Sequence, residues 1–154
     1  MIQEYQVSGF RVREYEELRS TNTEAERVGW DELEDKMVIL TYKQTQGRGQ
    51  VGNHWESEPG KNISMTVVFK PRELPGQQFA VSMVIALGAC DFISRYVAGC
   101  TVKWPNDIYV GDRKISGILI EHSIMGRYVG GSLCGIGVNI NQEHFLSDAP
   151  NPVS

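Results

Sequence analysis

The chain has 154 residues, of which 41% are hydrophobic and 22% charged, and its formal net charge is −4. This length and composition predict one soluble globular domain, and no apolar run reaches the roughly 18 residues of a membrane-spanning helix. An acidic balance without a basic patch argues against a nucleic-acid-binding protein, and the N-terminus lacks the basic-then-apolar pattern of a secretory signal.

The cysteines are three in number and scattered, at positions 90, 100 and 134. An odd count without a CxxC pair argues against a disulfide framework and against a structural zinc site. We therefore expect a cytoplasmic protein.

The sequence predicts a series of strands with two helices between them. In chain order these are strand Gly9–Tyr15, helix Thr23–Gly29, strands Met37–Lys43 and Asn62–Phe69, helix Gln77–Val97, and strands Thr101–Trp104, Ile108–Val110, Lys114–Ile124 and Arg127–Ile140. Consecutive strands joined by short turns predict an α+β fold with a mixed, largely antiparallel sheet backed by helices. The second helix is apolar on nearly all sides, so we expect it to lie buried against the sheet.

The first candidate site segment is the loop Gln44–Trp55, QTQGRGQVGNHW. Its glycines allow backbone amides to approach a phosphate, and Arg48 can neutralise that phosphate. No Gly-Lys-Ser/Thr follows, so this is not a Walker loop. Glycine content alone favours a flexible connector, although a loop this long in a compact domain is more often functional or disordered.

The second segment is Val102–Glu121, VKWPNDIYVGDRKISGILIE, in which Gly111 and Asp112 can form a two-residue hairpin turn. Such a turn pairs Val110 with Arg113, Tyr109 with Lys114, and Asp107 with Ser116. Asp107 and Lys114 then share one sheet face, where a carboxylate for Mg²⁺ would lie beside an ammonium for phosphate. A plain cross-strand ion pair explains the same pattern equally well.

The third segment is Cys134–Asn141, CGIGVNIN. Strand alternation places Cys134, Ile136, Val138 and Ile140 on one face, suited to packing against the helix. The opposite face carries Gly135, Gly137, Asn139 and Asn141. Glycines inside a strand often mark the close approach of a ligand or another backbone, although a bulge or a packing contact is the alternative.

These segments, in the order STN, QTQGRGxxGNxW, KWPND, KISGILIE and GIGVNIN, resemble the catalytic domain of biotin–protein ligases. The match runs from Ser20 to Asn141. It implies a fold related to class II aminoacyl-tRNA synthetases.

The resemblance also implies roles for individual residues. The biotin pocket would be formed by Ser20, Thr21, Asn22, Gln44, Arg48, Gly117 and Gly135. ATP and the adenylate would be bound by Gly47, Gly49, Trp55, Lys103, Asn106, Lys114, Gly137 and Asn139. Lys114, Arg48 and Asp107 would be the catalytic residues, with Asp107 also binding Mg²⁺.

The implied reaction has two steps. The biotin carboxylate attacks the α-phosphorus of ATP and pyrophosphate leaves; a lysine of a biotin carboxyl carrier protein domain then attacks the mixed anhydride and releases AMP. Catalysis of this kind relies on positioning and charge neutralisation, which accounts for motifs rich in cations, amides and glycines. Family members often pair, so a homodimer is possible.

Two departures from the family pattern stand out. Gln50 and Val51 occupy places where the family loop often carries arginine, which predicts looser retention of the adenylate unless Lys61 or Arg113 compensates. The family's catalytic domain also continues past GIGVNIN and is followed by an SH3-like domain. We therefore expect residues 1–154 to be its larger N-terminal part, without a DNA-binding or SH3-like domain and with apolar surface exposed near the last strand.

Two other functions remain open from the sequence. A lipoate or octanoyl transferase shares the fold, although KWPND and GRGxxGNxW argue against it. A non-catalytic fragment that holds biotin or the adenylate is the alternative from another class, and the presence of Arg48, Asp107 and Lys114 argues against it.

Overall fold

The structure, a computed structural model, describes residues 2–50, 52–70, 78–146 and 151–154. Within them it forms ten strands and two helices: β1 Ile2–Val7, β2 Phe10–Tyr15, α1 Thr21–Val28, β3 Met37–Thr41, β4 Gly47–Arg48, β5 His54–Trp55, β6 Asn62–Phe69, α2 Gln78–Ser94, β7 Cys100–Lys103, β8 Asp107–Val110, β9 Arg113–Met125 and β10 Tyr128–Asn139. Neither of these helices is long and apolar enough to cross a membrane.

Eight strands form one sheet in the order β1-β2-β3-β6-β10-β9-β8-β7. β2 and β3 are parallel, and every other neighbouring pair in this sheet is antiparallel. The predicted α+β class with a mixed, largely antiparallel sheet is therefore confirmed. The sequence analysis missed β1, because residues 3–7 of this edge strand are all exposed and leave no apolar alternation to detect.

α1 connects the parallel strands β2 and β3 and packs on one face of the sheet. It begins at Thr21, two residues before the predicted start, and Gly29 ends it with a φ of 85°. A glycine favours this left-handed conformation because it has no Cβ. Ala25 is fully buried in a cluster with Met37, Ile39 and other apolar side chains of this face.

α2 packs on the opposite face. Ala86 and Ile93 contact a buried cluster that includes Ile118, Ile136 and Val138. The prediction that the apolar side chains of β10 pack against this helix is thus confirmed for Ile136 and Val138.

The prediction that α2 packs against the sheet is confirmed, but apolar side chains on its other sides are exposed. Phe79, Val84 and Leu87 are 59%, 60% and 63% exposed, because a single helix lying on a sheet buries only the stripe that faces it. Exposed apolar surface was expected near the last strand, where Ile140 is 41% exposed, but more of it lies on α2. Gln77, the predicted first residue, lies outside the described residues.

The β8–β9 hairpin turns at Gly111 and Asp112, and Val110 pairs with Arg113 and Tyr109 with Lys114, as predicted. A register shift follows, so Asp107 lies opposite Gly117 and the predicted pairing with Ser116 is wrong. The sequence analysis assumed a regular ladder, whereas a bulge adds one residue to one strand. The shift aligns Asp107 with the glycines of the neighbouring strands.

The predicted loop Gln44–Trp55 contains the short antiparallel pair β4–β5, in which Gly47 lies opposite Trp55. This folds the segment back on itself. Trp55 is thereby placed over the face of the sheet that carries α1, beside Gly117 and Gly137.

Two isoleucines on the same strand test the position of the core. Ile118 is 3% exposed and Ile124 is 52% exposed. Ile118→Ala should lower the free energy of unfolding by about 2–5 kcal/mol because it leaves a cavity beneath α2. Ile124→Ala should cost less than about 1 kcal/mol in the same urea titration, and equal losses would contradict this packing.

Candidate functional site

A cavity of about 170 Å³ opens on the sheet face that carries α1. It lies between α1, the β4–β5 segment and strands β6, β9 and β10. The predicted site residues all line it except Gly47, Lys103 and Asn139. The three sequence segments, far apart in the chain, therefore meet at one hollow.

One end of the cavity is a buried polar network. The backbone N–H of Thr21 donates to Gln44 Oε1 at 2.9 Å. Thr66 Oγ1 lies 2.8 Å from Thr21 Oγ1 and 2.5 Å from Asn22 Oδ1. Asn22 Nδ2 in turn donates to Glu121 Oε2 at 2.8 Å. These contacts fix polar side chains of α1 against the sheet, which preorganises them for a polar ligand.

The floor of the cavity is made of glycines on adjacent strands. A Cβ on Gly137 would overlap the Trp55 indole, and one on Gly117 would lie 2.9 Å from Trp55 Cζ3. A Cβ on Gly135 would overlap the amide of Asn22. The groups that approach these glycines are side chains of the chain itself, and the approach of a ligand stays a prediction. Larger residues at these positions would clash with Trp55 or Asn22.

An ion pair lies at the other side of the floor. Lys114 Nζ is 2.7 Å from Asp107 Oδ1, and each side chain is 19% exposed. Asn106 closes the turn beside them by donating from Nδ2 to the Ile118 carbonyl at 3.2 Å. The predicted shared face of Asp107 and Lys114 is confirmed, and in this structure the two also form the ion pair that was its alternative.

Arg48 reaches over the cavity from β4. Its guanidinium donates to Glu26 Oε1 at 3.2 Å and to Glu121 Oε1. Partial burial alone would lower the pKa of Arg48, but the hydrogen bonds and charges of the two carboxylates outweigh it and raise that pKa. An anion entering the cavity must therefore compete with Glu26 and Glu121 for this side chain.

Three predicted residues lie elsewhere. Gly47 lies within the β4–β5 pair, where a Cβ would overlap the Trp55 carbonyl. Lys103 lies on the edge strand with its Nζ 4.8 Å from the centre of the Tyr109 ring. Asn139 donates from Nδ2 to the Val153 carbonyl at 3.0 Å and lines a smaller hollow beside Trp55 and Lys114. These three residues therefore lie outside the main cavity, and their roles in binding ATP or the adenylate stay predictions.

The sequence analysis missed Glu121, Thr66 and Ser64. Glu121 bonds both Arg48 and Asn22, Thr66 anchors α1, and Ser64 lines the cavity. A signal for each was present. β6 alternates polar and apolar residues from Asn62 onward, and Glu121 shares the face of Gly117 by the same two-residue period.

Neither a preformed metal cage nor a reactive thiol is found at the site. The described residues contain no cluster of three or more His, Cys, Asp or Glu side chains that could hold a metal ion. Burial raises the pKa of the Cys134 thiol to about 12, so it is protonated at neutral pH. The cavity offers amides, hydroxyls and cations, which suit binding and charge neutralisation of an anionic substrate.

Comparison with known proteins agrees with this geometry. The family model described as "Biotin/lipoate A/B protein ligase family" matches residues 15–139. The bifunctional ligase/repressor BirA of Bacillus subtilis is 29% identical over 140 residues, which are 90% of this chain and 43% of that protein. The biotin–[acetyl-CoA-carboxylase] ligase of Paracoccus denitrificans is 34% identical over 124 residues, covering 79% of this chain and 51% of that protein.

Solved structures show the same fold. Biotin protein ligase from Aquifex aeolicus in complex with biotin and ATP superposes with a TM-score of 0.76 at 24% identity, over 92% of this chain and 58% of that one. The biotin acetyl coenzyme A carboxylase synthetase of Helicobacter pylori with bound biotinylated ATP gives a TM-score of 0.66 at 28% identity, over 92% and 64%.

This chain thus spans about half the length of these curated relatives. The family match covers the cavity's lining residues from Ser20 to Gly137. The chain belongs to the biotin/lipoate A/B protein ligase family.

Proposed function

We propose that the chain is the catalytic part of an ATP-dependent biotin–protein ligase, which forms biotinyl-AMP and transfers biotin to a lysine of a biotin carboxyl carrier protein domain. The observation that carries the proposal is the convergence of a polar network, Arg48 and the Asp107–Lys114 pair on one glycine-floored cavity. The Helicobacter pylori relative, solved with biotinylated ATP, supports the ligand class.

The polar network would hold the biotin ring. A ureido group carries both N–H donors and a carbonyl acceptor, so it needs acceptors and donors close together. Thr21, Asn22 and Gln44 offer both, and Thr66 and Glu121 fix their orientation. The absence of a side chain on Gly135 leaves the space that the Asn22 amide occupies.

The cations would act on the reacting groups. As the biotin carboxylate attacks the α-phosphorus, negative charge builds on the phosphoryl oxygens and on the departing pyrophosphate. Lys114 is positioned by Asp107 to stabilise this charge. Arg48 would leave Glu26 and Glu121 to bind the carboxylate and the phosphate, which couples ligand entry to a change of ion-pair partner.

Asp107 is the residue that fits Mg²⁺ in this cavity. Mg²⁺ is typically bound by one or two protein carboxylates together with substrate phosphates rather than by a protein cage, which agrees with the single carboxylate beside Lys114. When bound, the ion would supply further neutralisation of the phosphates. Asp107 would then exchange part of its contact with Lys114 for the ion.

In the second step the amine of the acceptor lysine would attack the carbonyl of biotinyl-AMP, and AMP would leave. This step requires the acceptor side chain to reach the mixed anhydride at the open side of the cavity. We place the reaction in the cytoplasm, and pairing of two chains through their sheets stays a prediction.

A lipoate-type substrate is the alternative within the family, since the family description covers both activities. Of the curated relatives reported above, one is named a biotin–[acetyl-CoA-carboxylase] ligase, which favours biotin. A thermal-shift titration separates the two acids: biotin should raise the melting temperature at lower concentration than lipoate does.

Lys114→Ala should reduce biotin-dependent release of pyrophosphate from ATP by about 100-fold or more, because removing one charge-stabilising donor typically costs that much. The matched control is Lys43→Ala, whose lysine is 46% exposed and pairs with Glu17 outside the cavity. The control should retain wild-type rates.

Incubation of the chain with radiolabelled ATP, biotin and a carrier domain distinguishes a full ligase, a half-active fragment and a binding module. Labelled biotinyl-AMP together with biotinylated carrier supports the ligase, whereas biotinyl-AMP without transfer supports only its first half. If biotin and ATP bind and no adenylate forms, the chain is a binding module and the proposal is wrong.

Gln50 generates a separate prediction. It lines the cavity, while Lys61 and Arg113, the cations named as compensating, do not. Gln50→Arg should therefore slow dissociation of biotinyl-AMP by about tenfold or more, since a charged hydrogen bond to phosphate is worth roughly 1.5–3 kcal/mol. Dissociation rates of biotinyl-AMP are measured by stopped-flow, and equal rates for the native protein and the variant would contradict this prediction.

A further inference from the structure

Two of the three cysteines lie side by side on the face of the sheet opposite the cavity. Cys90 lies near the C-terminal end of α2 and Cys100 begins the edge strand β7. Both are free thiols, and their Sγ atoms are 3.2 Å apart, so that one thiol hydrogen-bonds the other. Neither residue lines the cavity, and the function proposed above does not use them.

The apolar core beneath α2 keeps these two thiols together. Cys90 and Cys100 both pack against the buried cluster that contains Ile93 and Ile108. Cys100 is also fixed by strand pairing, since it lies opposite Val110 on β8. A disulfide bond is about 2.05 Å long, so a movement of about 1 Å brings the two sulfur atoms to bonding distance.

A small oxidant can reach this pair of thiols. Cys90 and Cys100 are each half-buried, and Cys100 is flanked in the chain by the exposed residues Gly99 and Thr101. Cys134 is the contrasting case, because it is 0% exposed. Oxidation from solution should therefore act on the pair and leave Cys134 reduced.

The ionisation of Cys100 limits how fast the pair can react. Burial and the hydrogen bond with Cys90 raise the pKa of the Cys100 thiol to about 11. The thiolate is the form that attacks a disulfide, so at neutral pH this thiol exchanges slowly. Both cysteines therefore stay reduced until an oxidant is in excess.

We propose that Cys90 and Cys100 form a reversible disulfide that fastens the end of α2 to β7. The oxidant is a small-molecule disulfide such as oxidised glutathione. The thiolate of one cysteine attacks it, breaks its S–S bond and releases the first glutathione thiol. The thiolate of the other cysteine then attacks the mixed disulfide and releases the second. The two cysteine protons end on the two released thiols, so the protein is oxidised and glutathione is reduced.

This cross-link closes a short loop at the edge of the sheet. In the described sheet β7 is the last strand, and its neighbour is β8. The turn and first residue of the β7–β8 hairpin are Asn106 and Asp107, which line the cavity on the other face. The disulfide thus ties to α2 the hairpin that supplies these two residues. It should raise the melting temperature, because it restricts the unfolded chain.

The native protein, first reduced and then incubated with oxidised glutathione in a mildly alkaline buffer, tests the proposal. Mass spectrometry should show the loss of two hydrogen atoms, a cross-linked peptide pair containing Cys90 and Cys100, and a free thiol at Cys134. The melting temperature should rise by roughly 5–10 °C above that of the reduced protein. Excess dithiothreitol should restore the lower value.

Three variants assign the effect to this pair. Cys90→Ala and Cys100→Ala each lack one partner, so oxidised glutathione should not raise their melting temperatures. Cys134→Ala is the matched control, because it keeps both partners and should show the same increase as the native protein. If a variant does not fold, the peptide map of the oxidised native protein decides.

Three results with the native protein would overturn the inference. They are three thiols that remain free, glutathione bound to the protein without closure of the internal disulfide, and disulfides that form only between chains. Equal melting temperatures for the cross-linked and the reduced protein would also overturn it. None of these measurements uses biotin or ATP, so they leave the proposed function to its own tests.

Discussion

The site depends on the absence of side chains at two glycines on one face of the sheet. Gly117 and Gly137 lie opposite each other on β9 and β10, and a Cβ at either would collide with the Trp55 ring. A glycine inside a strand destabilises the fold, because it has no side chain to pack and loses more conformational entropy on folding than other residues do. The two glycines lie where the polar network, the ion pair and Arg48 surround one cavity. Without side chains there, Trp55 can pack against the sheet beside that cavity.

One face of the sheet packs into the apolar core under α2, and the other face forms the floor of the cavity. On the α2 side, Ile118, Ile136 and Val138 pack into an apolar core. On the α1 side, the alternate positions of the same strands include Gly117, Gly135 and Gly137, which form the floor of the cavity. Because the period of a strand is two, one stretch of sequence supplies a wall of the core and the floor of the cavity together. Core packing on one side therefore holds the floor rigid on the other.

Electrostatics in the cavity are balanced without ligand. Lys114 is paired with Asp107, and Arg48 with Glu26 and Glu121. Such pairing lowers the cost of placing cations in a partly buried site. An anionic ligand must replace these partners, so its affinity reflects the difference between two sets of charge contacts. Glu121 matters most in this exchange, since it also orients Asn22 at the polar end.

Those parts of the fold and of the candidate site that follow from a local pattern could be predicted from the sequence. The two-residue hairpin at Gly111, the alternation in β10 and the shared face of Asp107 and Lys114 follow from short-range rules. The bulge that moves Asp107 opposite Gly117 could not be foreseen, since it depends on how β8 meets a longer neighbour. Nor could the exposure of Leu87 on α2 or the direction of Lys103, which depend on packing between distant segments.

The most direct measurement is a crystal structure of this chain with biotin and ATP or with biotinyl-AMP. The ligand should lie in the cavity between the polar network around Asn22 and the Asp107–Lys114 pair, with Arg48 turned from Glu26 toward the ligand. A ligand bound elsewhere, with Arg48 still paired with Glu26 and Glu121, would contradict the account.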